Sequence, residues 1–249
     1  MTSPRTTVQP EEIDQFSRHA ADWWNPYGSF KPLHRLNPVR VQYVRDQICA
    51  LRGFKATGKR EVLRGISLLD VGCGGGLLAE PLALLGARVT AIDASAATID
   101  VASQHAAEQG LEIDYRVSSV EDLAQKPQRF DVITALEIVE HVADIELFLT
   151  ALTSLLRPGG VLILSTLNQT SKSYLLGIVA AEYILRWVPR GTHQWKKFIR
   201  PSQLVDRVAE LGLTPCDLSG LVFNPLRQEF HLSQTDLDVN YFLTAIKAA

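Results

Sequence analysis

Apolar residues along this chain fall into two spacings. Ile66–Val71, Arg88–Ile92, Ile113–Val117, Phe130–Leu136 and Val161–Ser165 are short, compact apolar runs and read as strands. Between them, Gly76–Leu85, Ala96–Gln109 and Asp144–Leu156 carry their apolar residues at helical spacing. Strands alternating with helices at this separation imply a mostly parallel sheet covered on both faces. Arg157-Pro158-Gly159-Gly160 stops a helix before the fifth strand. Ahead of the alternation, a helix is expected from Pro10, a residue suited to a first turn, to about Trp24. Asn25 to Pro38 is rich in Pro, Gly and Asn and reads as an irregular loop, and Val39 to about Leu51 as a second helix. Lys55, Lys59 and Arg60 mark a basic link into the first strand. Leu213–Leu218 and Val239–Ile246 are expected to add an edge hairpin, bringing the sheet to seven strands. The pattern is that of one α/β domain over residues 1–249, with residues 1–60 as a helical cap.

One stretch does not belong to a bare sheet. Residues 168–201 follow the fifth strand, and within them Tyr174 to Val188 is apolar except for Glu182 and Arg186 on one narrow helical stripe. A helix apolar nearly all round must be buried in protein or in lipid. This one falls short of the roughly 20 residues that span a bilayer. Its flanks are basic: Lys172, Arg190, Lys196, Lys197 and Arg200. A lid over a pocket, a helix lying in a membrane interface, or both, are the expectations.

Bulk properties narrow the partners. A formal net charge of -2 argues against nucleic acid, which calls for a basic face. Cys49, Cys73 and Cys216 are scattered, odd in number and form no C-x-x-C pair, so neither a disulfide framework nor a zinc cluster is indicated. Met1 to Gln9 holds no apolar signal core, and a cytoplasmic placement is expected.

The chemistry enters at Leu68-Leu69-Asp70-Val71-Gly72-Cys73-Gly74-Gly75-Gly76, answered by Val89-Thr90-Ala91-Ile92-Asp93. Glycines let a ligand approach the backbone where a side chain would block it. An aspartate closing the next strand is placed to accept hydrogen bonds from ribose hydroxyls. The dinucleotide pattern G-x-G-x-x-G fails, because Leu77 stands where its third glycine belongs. Asp70 to Gly76 instead reads D-x-G-x-G-x-G and resembles the first motif of class I S-adenosylmethionine-dependent methyltransferases. Such a loop accommodates a sulfonium and a zwitterionic amino-acid tail.

Further segments make the resemblance narrower. Phe30-Lys31-Pro32-Leu33-His34-Arg35-Leu36-Asn37-Pro38-Val39-Arg40, Glu137-Ile138-Val139-Glu140-His141-Val142, Ser165-Thr166-Leu167-Asn168, Ala181-Glu182-Tyr183-Ile184-Leu185-Arg186 and Asp238-Val239-Asn240-Tyr241 are similar to the ubiquinone-biosynthesis O-methyltransferases. The similarity runs from about residue 11 to residue 246. It implies a Rossmann-like class I methyltransferase fold. It also implies methylation of catechol-type hydroxyls on polyprenylated intermediates, 2-polyprenyl-6-hydroxyphenol and 3-demethylubiquinol. A peripheral place on the inner membrane, against anionic lipid and other proteins of the pathway, goes with such substrates.

Methyl transfer from a sulfonium is an in-line displacement, and the task is to deliver an aryl-oxide at attack distance. A phenol with a pKa near 10 is mostly protonated at neutral pH. Either a divalent cation or a general base must therefore handle that proton. Glu137, Glu140 and His141 follow the fourth strand, at the edge where such folds bind ligands. On a helix they would share one face, as magnesium ligands or as an N-terminal cap with a packed histidine. The resemblance implies magnesium at all three. Within the set His141 is the candidate base and Glu140 its catalytic companion. For the cofactor, Gly72 and Gly74 make the turn and Asp93 takes the ribose. The matching family positions imply Leu136 beside the cofactor and Arg40 on its carboxylate. Ser119 and Val120 follow the third strand, where adenine would lie. Asp131 reads as structural, and Trp23 and Trp24 either line the entry for an apolar substrate or, as is commoner for aromatic residues on such a helix, simply pack. Two alternatives stand beside this reading: a methyltransferase of another small molecule, and a non-catalytic cofactor-binding subunit.

Overall fold

The computed structural model describes residues 6–53, 61–174 and 195–248. Its strands are β1 (Ser67–Val71), β2 (Arg88–Asp93), β3 (Asp114–Val117), β4 (Phe130–Leu136), β5 (Leu156–Leu167), β6 (Leu213–Asn224), β7 (Glu229–Ser233) and β8 (Asn240–Lys247). They form one sheet in the order β3-β2-β1-β4-β5-β8-β6-β7. β1 to β5 pair in parallel, and β8, β6 and β7 complete the sheet antiparallel.

The helices are α1 (Pro10–Ser17), α2 (Lys31–Arg52), α3 (Ala79–Leu84), α4 (Ala96–Glu108), α5 (Val120–Ala124), α6 (Ile145–Leu155), α7 (Ser171–Ser173) and α8 (Pro201–Glu210). Side chains alternate across a strand, so Leu68 and Leu69 enter opposite cores. Leu68, Val89 and Val132 pack with Val44, Ile48 and Leu82 of α2 and α3. Leu69, Ile133 and Leu162 pack with Leu123, Phe148, Leu149 and Leu204 of α5, α6 and α8. All five residues of β1 are buried, which fits a strand covered on both faces.

Several expectations are corrected. The sheet has eight strands among the described residues, not seven. β7 was hidden because its apolar content is only Phe230 and Leu232, which pair with Phe223 and Leu221 of β6. The two C-terminal runs do pair antiparallel, but not as an edge hairpin: β8 lies between β5 and β6. α2 begins at Lys31 rather than Val39 and carries Pro38 in its interior. Pro32 sits in the first turn, where its missing N–H matters little. The backbone bond lost at Pro38 is offset by burial of Leu36, Arg40, Tyr43 and Val44. The first helix stops at Ser17, and a separate 3-10 turn covers Ala20–Asp22. α5 and α8 were not expected. The basic link at Lys55 to Arg60 and most of the apolar helix expected over Tyr174 to Val188 lie outside the described residues.

Candidate active site

β1 ends in a glycine loop whose geometry demands glycine. Gly72 and Gly74 take φ of +69° and +53°, a region that disfavours a side chain. A Cβ on Gly72 would stand 2.9 Å from Ile138 Cδ1, and one on Gly75 2.6 Å from Trp23. The N–H groups of Gly72 and Cys73 donate to the Ile92 carbonyl at 2.9 and 3.1 Å, tying the loop to β2. Asp93, closing β2, accepts from the Gly74 N–H at 3.1 Å and from the Ser95 N–H at 2.9 Å. Burial pushes its pKa up, while those backbone donors pull the other way. Each carboxylate oxygen keeps a further lone pair for a ribose hydroxyl.

Around the loop stand buried polar atoms without hydrogen-bond partners. Asp70 Oδ1 accepts from Thr134 Oγ1 at 2.7 Å, but Oδ2 has none. Burial pushes the Asp70 pKa up to about 6. Arg40 is buried in α2, its Nε 3.4 Å from Glu137 Oε2, and neither atom makes a hydrogen bond. Charges of both signs at the loop suit the carboxylate and ammonium of an amino-acid tail. These orphaned atoms and the side-chain-free turn fit S-adenosylmethionine. Leu136 is buried at the end of β4, and the Val120 side chain lies in the core, so Val120 offers a ligand only backbone.

Past β4 the chain turns sharply. Glu137 has φ +52°, a conformation costing a non-glycine residue about 1–2 kcal/mol. Ser165 holds it there: the Glu137 N–H donates to Ser165 O at 3.0 Å, and Ser165 Oγ donates to Glu137 Oε1 at 2.6 Å. Val139–His141 then form a 3-10 turn. Glu140 is buried and accepts from Thr166 Oγ1 at 2.7 Å, with burial raising its pKa. His141 Nδ1 lies 2.9 Å from Glu12 Oε2. Burial lowers the His141 pKa, but the Glu12 bond and the charges of Glu140 and Glu12 outweigh it and leave it raised.

The expected three-ligand metal set is therefore not brought together. Glu137 engages Arg40 and Ser165, Glu140 engages Thr166, and His141 engages Glu12. Glu137 precedes the 3-10 turn with a left-handed backbone, so no helical face is shared. Among the described residues no group of three His, Cys, Asp or Glu side chains is arranged to hold a metal ion. Nor do the glutamates cap α6, whose N-cap is Asp144, accepting from the Leu147 N–H at 3.0 Å.

Glu12 was missed in the sequence, Ser165 and Thr166 entered only as part of the family resemblance, and Lys197 was read only as a basic flank of the insertion. Lys197 Nζ reaches Glu12 Oε1 and Gln9 Oε1, each at 3.2 Å, and Gln9 Nε2 donates to the His141 carbonyl at 2.9 Å. Thr7 Oγ1 donates to Glu121 at 2.6 Å, and Ser17 Oγ meets Ser95 Oγ at 2.7 Å. The N-terminal segment thus crosses the carboxyl edge of the sheet like a strap. No local pattern announces such pairs. Asp131 is structural as expected, binding Ser67 N–H and Arg157 behind β4. Trp23 and Trp24 do more than pack at a distance, since both touch the glycine loop.

The parallel core order, the glycine loop and Asp93 together define a class I S-adenosylmethionine-dependent methyltransferase. Residues 69–164 match a family model described as a methyltransferase domain. The chain belongs to the ubiquinone biosynthesis O-methyltransferase family. It is 48% identical over 245 residues to the Brucella anthropi protein of that name, covering 98% of each chain. It is 47% identical to the Dinoroseobacter shibae protein of the same name, over the whole of both. Among solved structures, magnesium protoporphyrin IX methyltransferase from Synechocystis with bound S-adenosylhomocysteine superposes with TM-score 0.63 at 20% identity, covering 96% of this chain and 95% of that one. A plantazolicin methyltransferase gives 0.65 at 16%, covering 96% and 98%. These two likenesses concern the fold.

Proposed function

We propose that this enzyme moves the methyl group of S-adenosylmethionine onto catechol-type hydroxyls of polyprenylated intermediates, 2-polyprenyl-6-hydroxyphenol and 3-demethylubiquinol. The observation that carries the reading is the pairing, along one sheet edge, of the Asp93–Gly74 cradle with a carboxylate-bound histidine. S-adenosylmethionine supplies an already electrophilic methyl carbon. Asp93 holds the ribose, Arg40 the carboxylate, and Leu136 and Val120 border the adenosine end. The Glu12 carboxylate can only accept, so it takes His141 Nδ1–H and makes Nε2 the basic nitrogen of the neutral ring. His141 removes the catechol proton, and Glu140, turned inward onto Thr166, acts on it only through its charge.

Magnesium at Glu137, Glu140 and His141 remains the family's implication. Two carboxylates and an imidazole are suitable donors for a hard cation. Their arrangement around three separate partners does not fit one ion, and no step is routed through it. A second reading is a peripheral membrane site at the insertion. In its support, Tyr174 and Trp195 at the insertion's two ends are exposed and meet edge-to-face at 6.5 Å, the residue types of a membrane interface. Lys196 and Arg200 are exposed beside them. Lys172 pairs instead with Asp236 and Asp238, and Lys197 with Glu12, so those two are engaged within the chain. No helix among the described residues is long and apolar enough to cross a membrane.

The test mixes the pure protein with S-adenosylmethionine and a soluble catechol, with and without EDTA, and follows the methyl ether by mass spectrometry. Turnover supports the enzyme. Cofactor binding without turnover supports the non-catalytic subunit instead. Loss of turnover in EDTA, restored by magnesium, would require the three side chains to regroup around an ion.

A further inference from the structure

We propose that Trp23 is a cofactor-binding residue whose indole N–H receives the carboxylate of S-adenosylmethionine, a role that rests on the methyltransferase reading above. Trp23 is 6% exposed, and its ring lies against Gly74 and Gly75 so closely that no side chain fits at either. The ring is fixed from two sides. It stacks on Phe30 with centroids 3.8 Å apart and planes 8° from parallel. Its backbone carbonyl accepts from His34 Nε2 at 2.8 Å.

The neighbouring tryptophan supplies the contrast. Trp24 Nε1 donates to the Gly75 carbonyl at 2.9 Å, and its ring stacks on His105 at 3.5 Å. Its polar atom is satisfied. Trp23 Nε1, buried beside the same loop, has no partner among the described residues. Buried N–H groups without an acceptor are rare, and each calls for a reason. An indole nitrogen only donates, so the missing partner must be an acceptor. The amino-acid tail of the cofactor carries a sulfonium and an ammonium, neither of which accepts a hydrogen bond, and one carboxylate, which does. The ribose hydroxyls belong to Asp93 on β2. The carboxylate is the group that matches.

Titration calorimetry with two ligands tests this. S-adenosylhomocysteine has the amino-acid tail; 5′-methylthioadenosine keeps adenine, ribose and sulfur but lacks it. Trp23→Phe preserves the ring on Phe30 and the glycine loop and removes only the N–H. The expected result is about tenfold weaker binding of S-adenosylhomocysteine, the scale of one hydrogen bond to a charged group, with 5′-methylthioadenosine unchanged. Equal weakening of both ligands, or of neither, would overturn the assignment. A parent protein that binds neither ligand would overturn the methyltransferase reading itself. Indole 15N–1H spectra of the parent give a second measure that needs no substitution. One indole signal should move with S-adenosylhomocysteine and stay in place with 5′-methylthioadenosine; no such difference counts against Trp23.

Discussion

Glu12, on the first helix, and His141, just past the fourth strand, are 129 residues apart in the chain and share a 2.9 Å contact between carboxylate and imidazole. The carboxylate can only accept, so it favours the proton on Nδ1, and in the proposed mechanism the other nitrogen is the base. His141→Ala should lower kcat by about 10²–10⁴-fold, the usual reach of general base catalysis. Glu12→Ala should lower it less, and both should keep S-adenosylmethionine affinity, measured by calorimetry. Unchanged kcat in both variants would remove the base from the mechanism.

Asp93 holds the glycine loop and is the residue proposed to bind the ribose. Asp93→Ala should weaken S-adenosylmethionine binding by roughly 1–3 kcal/mol, while NAD should bind to neither form. Calorimetry that detects NAD but not S-adenosylmethionine would contradict the site.

The pKa of Asp70 is raised by burial to about 6, above the ordinary value near 3.9 in an unfolded chain. Below about pH 4 the group is neutral in both states and costs nothing. As pH rises from about 4 to about 6, the unfolded state ionises while the buried group still holds its proton, so stability falls, and this penalty is complete above about 6. Asp70→Asn removes that penalty. Its stability advantage over the parent in urea titrations should grow by about 1–3 kcal/mol between pH 4 and pH 7. A difference that does not vary with pH would refute this.

Glu137 sits in a left-handed backbone conformation beside the buried Arg40. Glu137→Ala leaves Arg40 without its partner and keeps the strain. Glu137→Gly loses the same partner but relieves the backbone. The glycine variant should therefore be the more stable of the two by about 1 kcal/mol, read from urea midpoints. Equal midpoints would mean that the turn is not strained.

For the membrane reading, Lys196 and Arg200 are the exposed cations to reverse. Each charge near an anionic surface contributes about 1 kcal/mol, attenuated by salt. The parent should float with anionic liposomes at low salt, and a Lys196→Glu, Arg200→Glu variant should remain behind. Failure of the parent to bind any vesicle would leave the insertion as a lid. Lys197 is the wrong choice here, since its reversal would set a second carboxylate against Glu12.

Strands β1, β2 and β4 were legible because each is a near-continuous apolar run, the mark of a buried strand, while β3, at the sheet edge, showed only the alternation of Ile113, Tyr115 and Val117 with polar residues. The cofactor loop was legible for a similar reason, since Asp70, the glycines and Asp93 act through local backbone geometry. α2 was misread where two prolines signal a loop, because the burial that overrides Pro38 comes from residues on distant strands. Charge was legible, but its partners were not. Lys172 and Lys197 look like solvated flanks until the fold brings Asp236, Asp238 and Glu12 to them. The Glu137–Glu140–His141 set does follow β4, but not with the helical face expected of it, because nothing in those letters announces a left-handed glutamate.

The placement of β8 also bears on the order in which the molecule can assemble. Synthesis proceeds from the N-terminus, so β1 to β5 emerge first and can pair in turn around β1. β6 and β7 follow, yet their route into the sheet runs only through β8, the last of the described strands. Until residues 240–247 are made, β5 has an open edge and the β6–β7 hairpin has nowhere to dock. Such an edge invites pairing with other chains. Truncations just before Asn240 should therefore aggregate rather than merely lose a terminal strand, because they remove the bridge between two halves of the sheet.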